Sequence, residues 1–382
     1  MSILVLNYEY PPVGGGGGQA SADLARALAE RGHSLHVITA RLPGLEARAV
    51  EQGVKVWRVA TGRRSRFRAS LPVMAGYLGG AFLPALRLTR AWKPEIIHAH
   101  FAVPTGVLAL AVSRLTRVPY VITAHLGDVP GGVPEKTGGW FRWVYPFTGA
   151  IWRGAAAVAA VSEYTRSLAM RHYAVPIEVI PNGVPLAQAG AAAPCGSPPR
   201  IVFVGRFQPQ KNLLFLVDRL EEVRDLPWEC TLVGDGPVMP KVRERVAALG
   251  LTDRIELTGW VKPDEASRQL AAGDLLFMPS LSEGLPVVGV QALSHGLAIV
   301  ASKVGGLAEL VEDGANGKSC EPGDAAGFRR ALRWCLEAPG RLTRMKQASK
   351  SMADRYDIRH VAESYETLFV EAAGSRRASL DV

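Results

Sequence analysis

Short, continuously apolar runs alternate with helical patterns along almost the whole chain, and this alternation constrains the fold most strongly. The first series begins with ILVLNY at residues 3–8, a helical pattern at 19–32 and LHVITA at 35–40, and it continues to residue 185. Runs that are apolar at every position are typical of strands covered on both faces of a sheet. Because strands alternate with helices, we predict parallel βαβ units.

A second series of the same kind begins at residue 200. The stretch before it, LAQAGAAAPCGSPP, is rich in Ala, Pro and Gly, a composition typical of a linker. The second series opens with RIVFVGRF at residues 200–207 and a helical pattern at 213–224. We therefore predict an N-terminal Rossmann-like domain at 1–185, a linker at 186–199, a C-terminal Rossmann-like domain at 200–355, and at 356–382 a C-terminal helix, packing back on the N-terminal domain, with a tail.

Ligands of open parallel sheets bind beyond the carboxyl ends of the strands. Two such sheets predict an α/β protein whose two Rossmann-like domains face a central cleft, with the ligand in that cleft. Each candidate site below lies at the end of a predicted strand. The strand ends are therefore the place to look for chemistry.

Bulk composition narrows the class of protein. Hydrophobic residues make up 48% and charged residues 21% of the 382 residues, which excludes a disordered chain. The longest apolar stretch, residues 71–86, is shorter than the ~20 residues of a membrane-spanning helix, so we expect no transmembrane helix. Met1 leads directly into a strand pattern, which predicts no secretory signal. Four Cys without a CxxC pair favour reduced thiols in the cytoplasm over disulfides or zinc.

A basic cluster suggests an anionic partner. The net charge is +9, and GRRSRFR at residues 62–68 directly precedes the apolar stretch at 71–86. A basic cluster beside an amphipathic segment is typical of an anionic membrane surface, here the inner face, or of an anionic substrate. The alternative is a solvated loop followed by a core helix. No DNA- or RNA-binding module is visible, so we expect no nucleic-acid partner. The cluster contains four arginines, Arg63, Arg64, Arg66 and Arg68.

Five consecutive glycines, residues 14–18, stand between the first strand and the first helix. Glycines at such a place let the backbone approach a ligand closely, and the helix N-terminus attracts an anion. The spacing does not reproduce the dinucleotide-binding pattern GxGxxG, and the second strand ends without the acidic residue that would hold a ribose. We predict a close-approach loop and not a dinucleotide fingerprint.

Two cations flank the loop after the first strand of the second series. In VGRFQPQKN, Arg206 and Lys211 have side chains long enough to reach one anion above the sheet. A diphosphate needs two cations together with helix N–H groups to neutralise its charge. The alternative is two cations that face solvent.

The segment SEGLPVVGVQAL places Glu283 before an apolar helical pattern and Gln291 eight positions later. Glu283 could accept hydrogen bonds from ligand hydroxyls, and N–H groups around Gly284 would suit a sugar phosphate. At ~3.6 residues per turn, Gln291 would lie two turns after Glu283 on nearly the same face, where its amide could bind a diol. The alternative is that Glu283 only caps the helix.

Three histidines stand at strand ends. His98 and His100 are two positions apart and share one face of a strand, and His125 ends the next strand, close to Asp128. Such a set could chelate a metal and make the protein a metal-dependent hydrolase. The alternative is polar contacts in the cleft.

Motifs in fixed order over nearly the whole chain resemble one family. The Gly-rich loop is followed by HAH, TAH, VIPNGV, VGRF with KN, LVGDGP, GWV, PSLSEGLP, VGGLAELVEDGANG and EPGD. Together they look like a GT-B glycosyltransferase of family 4, a retaining group that includes mannosyl- and glucosyltransferases. The resemblance implies transfer of a hexose, glucose, mannose or related, from a UDP- or GDP-sugar to a polar or lipid-linked acceptor. It implies no cofactor and no metal.

The resemblance also implies that the domain at 1–185 is the acceptor domain and the domain at 200–355 the nucleotide-sugar domain, and how the donor is held. It assigns the diphosphate to Arg206 and Lys211, together with Gly15 and Gly16 of the first loop. It assigns the nucleobase to the backbone of Val261. Fixed cations and helix dipoles would then stabilise the charge of the leaving group in place of a metal. The departing phosphate oxygen would take the proton of the acceptor.

The transferred sugar has its own implied partners. The resemblance assigns it to Glu283, Gly284, Leu285 and Pro286, with His125 beside it. The implied catalytic residues are His125, Glu283, Arg206 and Lys211.

Two positions depart from the family pattern. Gln291 stands where the family has the second acid of an E-x7-E motif, which holds the ribose. An amide still accepts and donates, but we expect its ribose binding to be weaker by ~1 kcal/mol. This change leaves open a non-catalytic nucleotide-sugar binder. Pro185 stands where the family usually has Asp, which affects the local turn and not the chemistry.

Overall fold

The chain divides into two units, each built around its own β-sheet. Met1–Gly183 and the segment from Ile358 onward form the first unit, and Val184–Asp357 forms the second. The computed structural model describes residues 1–65, 69–133, 139, 141–186 and 192–378. Outside these ranges lie Arg66 and Arg68 of the basic cluster, residues 187–191 of the predicted linker and the last four residues of the predicted tail.

The first unit contains an eight-stranded sheet. Its strands are β1 (Ser2–Leu6), β2 (Ser34–Ala40), β3 (Arg48–Glu51), β4 (Val54–Val59), β5 (Ile96–His100), β6 (Tyr120–Ala124), β7 (Ala157–Ala160) and β8 (Glu178–Val179). They lie in the order β3-β4-β2-β1-β5-β6-β7-β8, and only β3 with β4 pairs antiparallel among the described strands. The sequence predicts no strand between β2 and β5, so the β3–β4 hairpin is an addition.

Both faces of this sheet are covered. Ile3 and Val5 of β1 lie in one core, whereas Leu4 and Leu6 lie in the other. Alternate residues of a strand point to opposite faces, so a strand between two cores must be apolar at every position. The covering helices of this part of the chain are α1 (Gly16–Glu30), α2 (Leu71–Trp92), α3 (Val107–Thr116), α4 (Phe141–Gly154) and α5 (Glu163–Met170).

The second unit contains a six-stranded parallel sheet. Its strands are β9 (Arg200–Val204), β10 (Glu229–Val233), β11 (Ile255–Gly259), β12 (Leu275–Met278), β13 (Ala298–Ser302) and β14 (Gly317–Cys320). They lie in the order β11-β10-β9-β12-β13-β14. Its helices are α6 (Leu213–Glu221), α7 (Met239–Ala248), α8 (Pro263–Ala271), α9 (Val287–His295), α10 (Ala325–Leu336) and α11 (Pro339–Met352).

The last helix, α12 (Ile358–Ala378), returns to the first unit. Tyr365 and Phe369 are buried in the same core as Ile3. At the surface, Arg31 donates hydrogen bonds to Glu363 and to both carboxylate oxygens of Glu366. An apolar stripe and a set of ion pairs therefore attach this helix to the sheet of the first unit.

Residues 192–199, the described part of the predicted linker, run against the second unit. The backbone N–H groups of Gly196 and Arg200 both donate to the carboxylate of Asp274. The ammonium of Lys346 is 2.5 Å from the same carboxylate, and both side chains are almost fully buried. These bonds satisfy a buried charge that would otherwise be costly.

In both sheets the strand order reverses at one point. In the first sheet β1 lies between β2 and β5, and in the second β9 lies between β10 and β12. The loops that follow β1 and β5, or β9 and β12, therefore lead away from each other and leave a crevice at the carboxyl ends of the strands. The predicted site residues follow these four strands or their neighbours.

The basic and apolar segment before β5 differs from its prediction. Arg63 is buried, because its guanidinium donates to the carbonyl oxygens of Tyr8 and Ser65 and lies 3.6 Å from a carboxylate oxygen of Glu9. Arg63 therefore does not belong to an exposed basic surface, whereas Arg64 is exposed.

The apolar stretch is longer than predicted, because α2 continues to Trp92 and has 22 residues. Among the described helices it alone is long and apolar enough to cross a membrane, with a mean hydropathy of 1.3 over 18 residues. Core helices pass the same test, so this is weak evidence for a span. Tyr77, Ala81 and Ala85 of α2 are buried against the sheet.

Candidate active site

Two loops meet at the reversal point of the second sheet. The loop after β9 forms a short turn, Pro209–Lys211, and the loop after β12 runs from residue 279 to α9. The backbone N–H of Leu281 donates to the carbonyl of Gln210 at 2.8 Å, and the side-chain amide of Gln210 donates to the carbonyl of Ser282 at 2.5 Å. These bonds fix the two loops to each other.

Lys211 and Glu283 form an ion pair across these loops. The ammonium nitrogen of Lys211 is 2.5 Å from Oε1 of Glu283, and the two side chains are only 16% and 8% exposed. Lys211 is therefore largely, but not fully, shielded from solvent. Helix α9 begins at Val287 with Pro286 as N-cap and no side-chain cap bond, so Glu283 does not cap it. The structure brings together a predicted diphosphate residue and a predicted sugar residue.

Gln291 is half-buried in the second turn of α9. The prediction that it follows Glu283 by two helical turns is wrong, because the helix starts four residues after Glu283. Pro286 has no backbone N–H and takes the extended conformation that precedes the helix. Leu285 is buried, like Pro286, and Gly284 is half-buried.

Close packing of glycines shapes the loops after β9 and β10. Arg206 is half-buried beside Gly205, whose carbonyl oxygen would lie 1.9 Å from a Cβ added at Gly234. Gly234 has φ +132°, a conformation that side chains rarely allow. Its N–H donates to the carbonyl of Gly259 at 3.0 Å, and Val261, the predicted nucleobase contact, follows two residues later and is half-buried. Arg206 and Val261 thus follow β9 and β11, the two strands on either side of β10.

In the first unit, the glycine-rich loop leads directly into α1. Gly15 is the N-cap and Gly16 the first helical residue, with no side-chain cap bond. A Cβ at Gly14 would lie 2.6 Å from Cβ of Glu9, and one at Gly18 would lie 2.6 Å from the carbonyl oxygen of Glu9. The loop packs on Glu9, which the sequence analysis did not single out.

His125 follows β6 and is held by Asp128. The carboxylate of Asp128 accepts the backbone N–H of His125 at 2.9 Å, and the imidazole accepts the backbone N–H of Asp128. Nε2 is buried with no partner among the described residues, so Nδ1 is the acceptor and the neutral ring carries its proton on Nε2. Burial lowers the pKa of His125 to about 4, which keeps it neutral at pH 7. His125 therefore presents a hydrogen-bond donor and not a base.

His98 and His100 lie on the same face of β5 and are buried. His98 Nε2 is 2.7 Å from the hydroxyl of Thr123, which is 2.8 Å from the hydroxyl of Tyr365 on α12. Burial lowers the pKa of His98 to about 3 and that of His100 well below its ordinary value. In the part of the chain that the structure describes, no group of three or more His, Cys, Asp or Glu side chains could hold a metal ion. The hydrolase alternative therefore lacks a site there.

Two family models match the chain. The model of Glycosyltransferase Family 4 matches residues 14–188, and the model of Glycosyl transferases group 1 matches residues 198–338. The chain belongs to these family 4, group 1 glycosyltransferases. The predicted family and enzyme class are therefore confirmed, and the hydrolase alternative is wrong.

Relatives along nearly the full length agree with this assignment. The glycosyltransferase is similar to 2-deoxystreptamine glucosyltransferase of Streptomyces kanamyceticus, with 29% identity over 370 residues, 89% of this chain and 94% of that protein. It is similar to glycogen synthase of Mycobacterium tuberculosis, with 26% identity over 400 residues, 99% of this chain and 96% of that protein.

Solved structures show the fold. Sucrose-phosphate synthase of Thermosynechococcus elongatus has a TM-score of 0.82 at 20% identity and covers 98% of this chain and 100% of its own. HepE of Anabaena, in complex with UDP and glucose, has a TM-score of 0.74 at 21% identity and covers 96% and 99%. The glycosyltransferase therefore has the GT-B fold with two Rossmann-like α/β domains, as predicted.

Proposed function

We propose that the glycosyltransferase moves a hexose from a UDP- or GDP-sugar to a polar or lipid-linked acceptor, with retention of configuration and without a metal. The observation that carries this proposal is the buried Lys211–Glu283 ion pair at the reversal point of the second sheet. A cation held in a water-poor crevice, with the second cation Arg206 on the same loop after β9, suits a diphosphate leaving group.

Charge balance supports the absence of a metal from this reaction. Among the proposed donor-site side chains, Arg206 and Lys211 are positive and Glu283 is negative, so these three carry a net charge of +1. Bond cleavage at the anomeric carbon places additional negative charge on the departing diphosphate. Preorganised cations stabilise that charge in the transition state without a Lewis acid. The carboxylate keeps Lys211 in place before the donor binds and can then accept a hydrogen bond from a sugar hydroxyl.

The first unit supports a retaining reaction in which the enzyme supplies no base. His125 is neutral and donates through Nε2, and the carboxylate of Asp128 is occupied by backbone N–H groups. Burial raises the pKa of Asp128 to about 7, which further weakens it as a fixed negative charge. We propose that the departing phosphate oxygen takes the proton of the acceptor, and that His125 donates a hydrogen bond to a hydroxyl of the transferred sugar.

The remaining contacts with the nucleotide-sugar donor are proposed from the positions of the residues in the fold. The backbone of Val261 meets the base, and Gln291 binds the ribose diol through its amide. Gly15 and Gly16, at the start of α1, offer backbone N–H groups to the diphosphate. HepE, whose structures contain UDP, glucose and UDP-glucose, supports a nucleotide-sugar donor of this kind.

Donor turnover tests this function. Purified protein is assayed for hexose transfer from UDP- and GDP-hexoses, and the anomeric configuration of the product is read by NMR. We expect Arg206→Ala and Lys211→Ala each to lower kcat on the order of 100-fold, as for the loss of one transition-state donor. Lys318→Ala, which breaks a 2.7 Å ion pair with Asp313 in the same unit, is the control and should retain activity. Near-normal rates in both site variants, or an inverted product, would contradict the proposal.

We also propose that the enzyme works in the cytoplasm at the inner face of a membrane, where α2 contacts anionic lipid. Leu71 and Leu83 are exposed on this helix, as are Arg87 and Arg90, and the helix contains no acidic residue. Exposed apolar and basic side chains on one helix suit an anionic interface. Arg64 precedes them in the chain.

Vesicle sedimentation tests this contact. Changing Arg64, Arg87 and Arg90 to Gln should abolish sedimentation with anionic vesicles. Changing three exposed arginines of the second unit, Arg243, Arg329 and Arg330, removes the same charge and should have little effect. Equal loss in both triple variants would show attraction by net charge alone, and unchanged sedimentation would remove α2 from the interface.

A further inference from the structure

Phe101, the residue after β5, has an unusual backbone conformation. Its φ is +71° and its ψ is 129°, a region that non-glycine residues rarely enter. Two hydrogen bonds hold it there: its N–H donates to the carbonyl of Thr123, and its own carbonyl accepts the N–H of Gly106, each at 3.1 Å. Strained residues persist only when their surroundings compensate for the strain, and they concentrate at functional sites.

The strained backbone directs the phenyl ring onto His125. The two ring centroids are 4.3 Å apart and the planes are inclined by 27°, which is a stacked arrangement. The ring of Tyr8 meets the phenyl ring edge-on at 5.2 Å. An aromatic face on one side of a buried imidazole restricts its rotation, and the Asp128 N–H fixes the edge that carries Nδ1.

The glycine-rich loop closes over both rings. A Cβ added at Gly17 would lie 2.9 Å from Cζ of Phe101 and 3.3 Å from Cε1 of His125. A side chain at this position would therefore displace one ring or the other. Gly17, in the first turn of α1, Phe101 and His125 follow three adjacent strands, β1, β5 and β6, so each segment restricts the position of the others.

We propose that Phe101 is a positioning residue: its left-handed backbone and stacked ring hold the imidazole of His125 with Nε2–H directed at a substrate oxygen. The identity of that oxygen, a sugar hydroxyl, rests on the proposed function. The geometry of the histidine does not, because it follows from contacts within the first unit.

Three substitutions separate positioning from general stability. Phe101→Leu keeps an apolar side chain but removes the aromatic face, whereas Phe101→Tyr keeps the ring. Tyr173→Leu is the matched control, since Tyr173 stacks on Trp152 at 4.2 Å in the same unit and not on His125. Two properties are measured: kcat and KM for the donor, and the protonation of His125 by NMR titration of labelled histidines.

We expect Phe101→Leu to lower kcat by about 10- to 100-fold with little change in KM. A misplaced hydrogen-bond donor on His125 slows the reaction but does not weaken the binding of the substrate in the ground state. The freed imidazole should also titrate closer to its ordinary pKa than in the wild type, where it faces His100 and Asp128. Phe101→Tyr should restore both properties. Tyr173→Leu should lower stability and change neither.

The proposal would be overturned if Phe101→Leu kept the wild-type kcat and the wild-type titration of His125. It would also be overturned if Tyr173→Leu changed these two properties as Phe101→Leu does. If Phe101→Leu does not fold, Gly17→Ala tests the same contact from the opposite side and should give the same pair of changes; wild-type behaviour of Gly17→Ala would then overturn the proposal. If the wild type transfers no hexose, the proposed function fails, and the titration alone still decides whether Phe101 fixes His125.

Discussion

Replacing Lys211 with Met tests how strongly one ion pair organises the donor site. The Lys211 ammonium and the Glu283 carboxylate are 2.5 Å apart, with side chains 16% and 8% exposed. At an effective dielectric constant of about 20, unit charges at this distance attract by ~7 kcal/mol, and desolvation of both groups offsets part of that. Removing one partner leaves the other buried and uncompensated. We expect the free energy of unfolding to fall by about 3 kcal/mol, the lower end of the range for buried pairs, because Lys211 is partly exposed.

The assay is chemical denaturation of the two single variants and the double variant. Lys211→Met and Glu283→Gln should each lower the free energy of unfolding of the second unit by about 3 kcal/mol. The double variant should lose no more than one single variant, because no unpaired charge remains. Lys318→Met, whose partner Asp313 is 56% exposed, should cost less than about 1 kcal/mol. Additive losses in the double variant, or single variants as stable as the wild type, would refute the reasoning.

Three further predictions concern the ribose, a backbone contact and acid stability. Gln291→Glu should bind UDP or GDP about fivefold more tightly by calorimetry, since a charged acceptor is worth ~1 kcal/mol more than an amide; weaker binding would contradict the ribose assignment. Gly234→Ala should lower the free energy of unfolding, measured by chemical denaturation, by more than about 3 kcal/mol, because the added Cβ would lie 1.9 Å from a carbonyl oxygen. The control Gly250→Ala, at φ +65° with open space around it, should lower it by only about 1 kcal/mol. Lowering the pH from 7 to 5 should destabilise the first unit, because His98, His100 and His125 stay neutral when folded but take up protons below about pH 6.5 when unfolded. Because its pKa is raised to about 7, Asp128 takes up one proton in the folded state over the same pH range, which opposes the effect of the three histidines. A free energy of unfolding that stays constant or rises between pH 7 and pH 5 would contradict the buried, neutral histidines.

The strands could be predicted where burial on both faces leaves a continuous apolar run. β1 and β9 are apolar at most positions because both faces are covered, and such runs are visible in the sequence. The hairpin partner β4 was missed, although its burial alternates from Val54 to Val59 in the manner of a half-covered strand. The residue types follow this alternation only over Val54–Val56, because the buried position 58 is an arginine and its half-buried neighbours are Trp57 and Val59, so the sequence carries only a weak period of two.

The residues of the candidate site could be predicted from the sequence, but the contacts between their side chains could not. The family motifs identify Lys211 and Glu283, yet nothing in them shows that these two side chains pair with each other. Arg63 was assigned wrongly, because a run of basic residues predicts exposure and gives no sign of the buried partner Glu9. Phe101 was missed because a positive φ leaves no trace in the sequence. Asp128 is predicted only as a possible metal ligand, whereas its bond to His125 could have been predicted, since a polar residue followed three positions later by an acid is the spacing of a capping box.

A crystal structure with a bound UDP- or GDP-hexose tests the central claim most directly. If cations of the second unit stabilise the negative charge of the leaving group, oxygens of the diphosphate will lie about 3 Å from the Lys211 ammonium and the Arg206 guanidinium. Glu283 will then have exchanged its contact with Lys211 for a hydroxyl of the sugar. A diphosphate bound away from both cations, with the Lys211–Glu283 pair intact, would contradict the account.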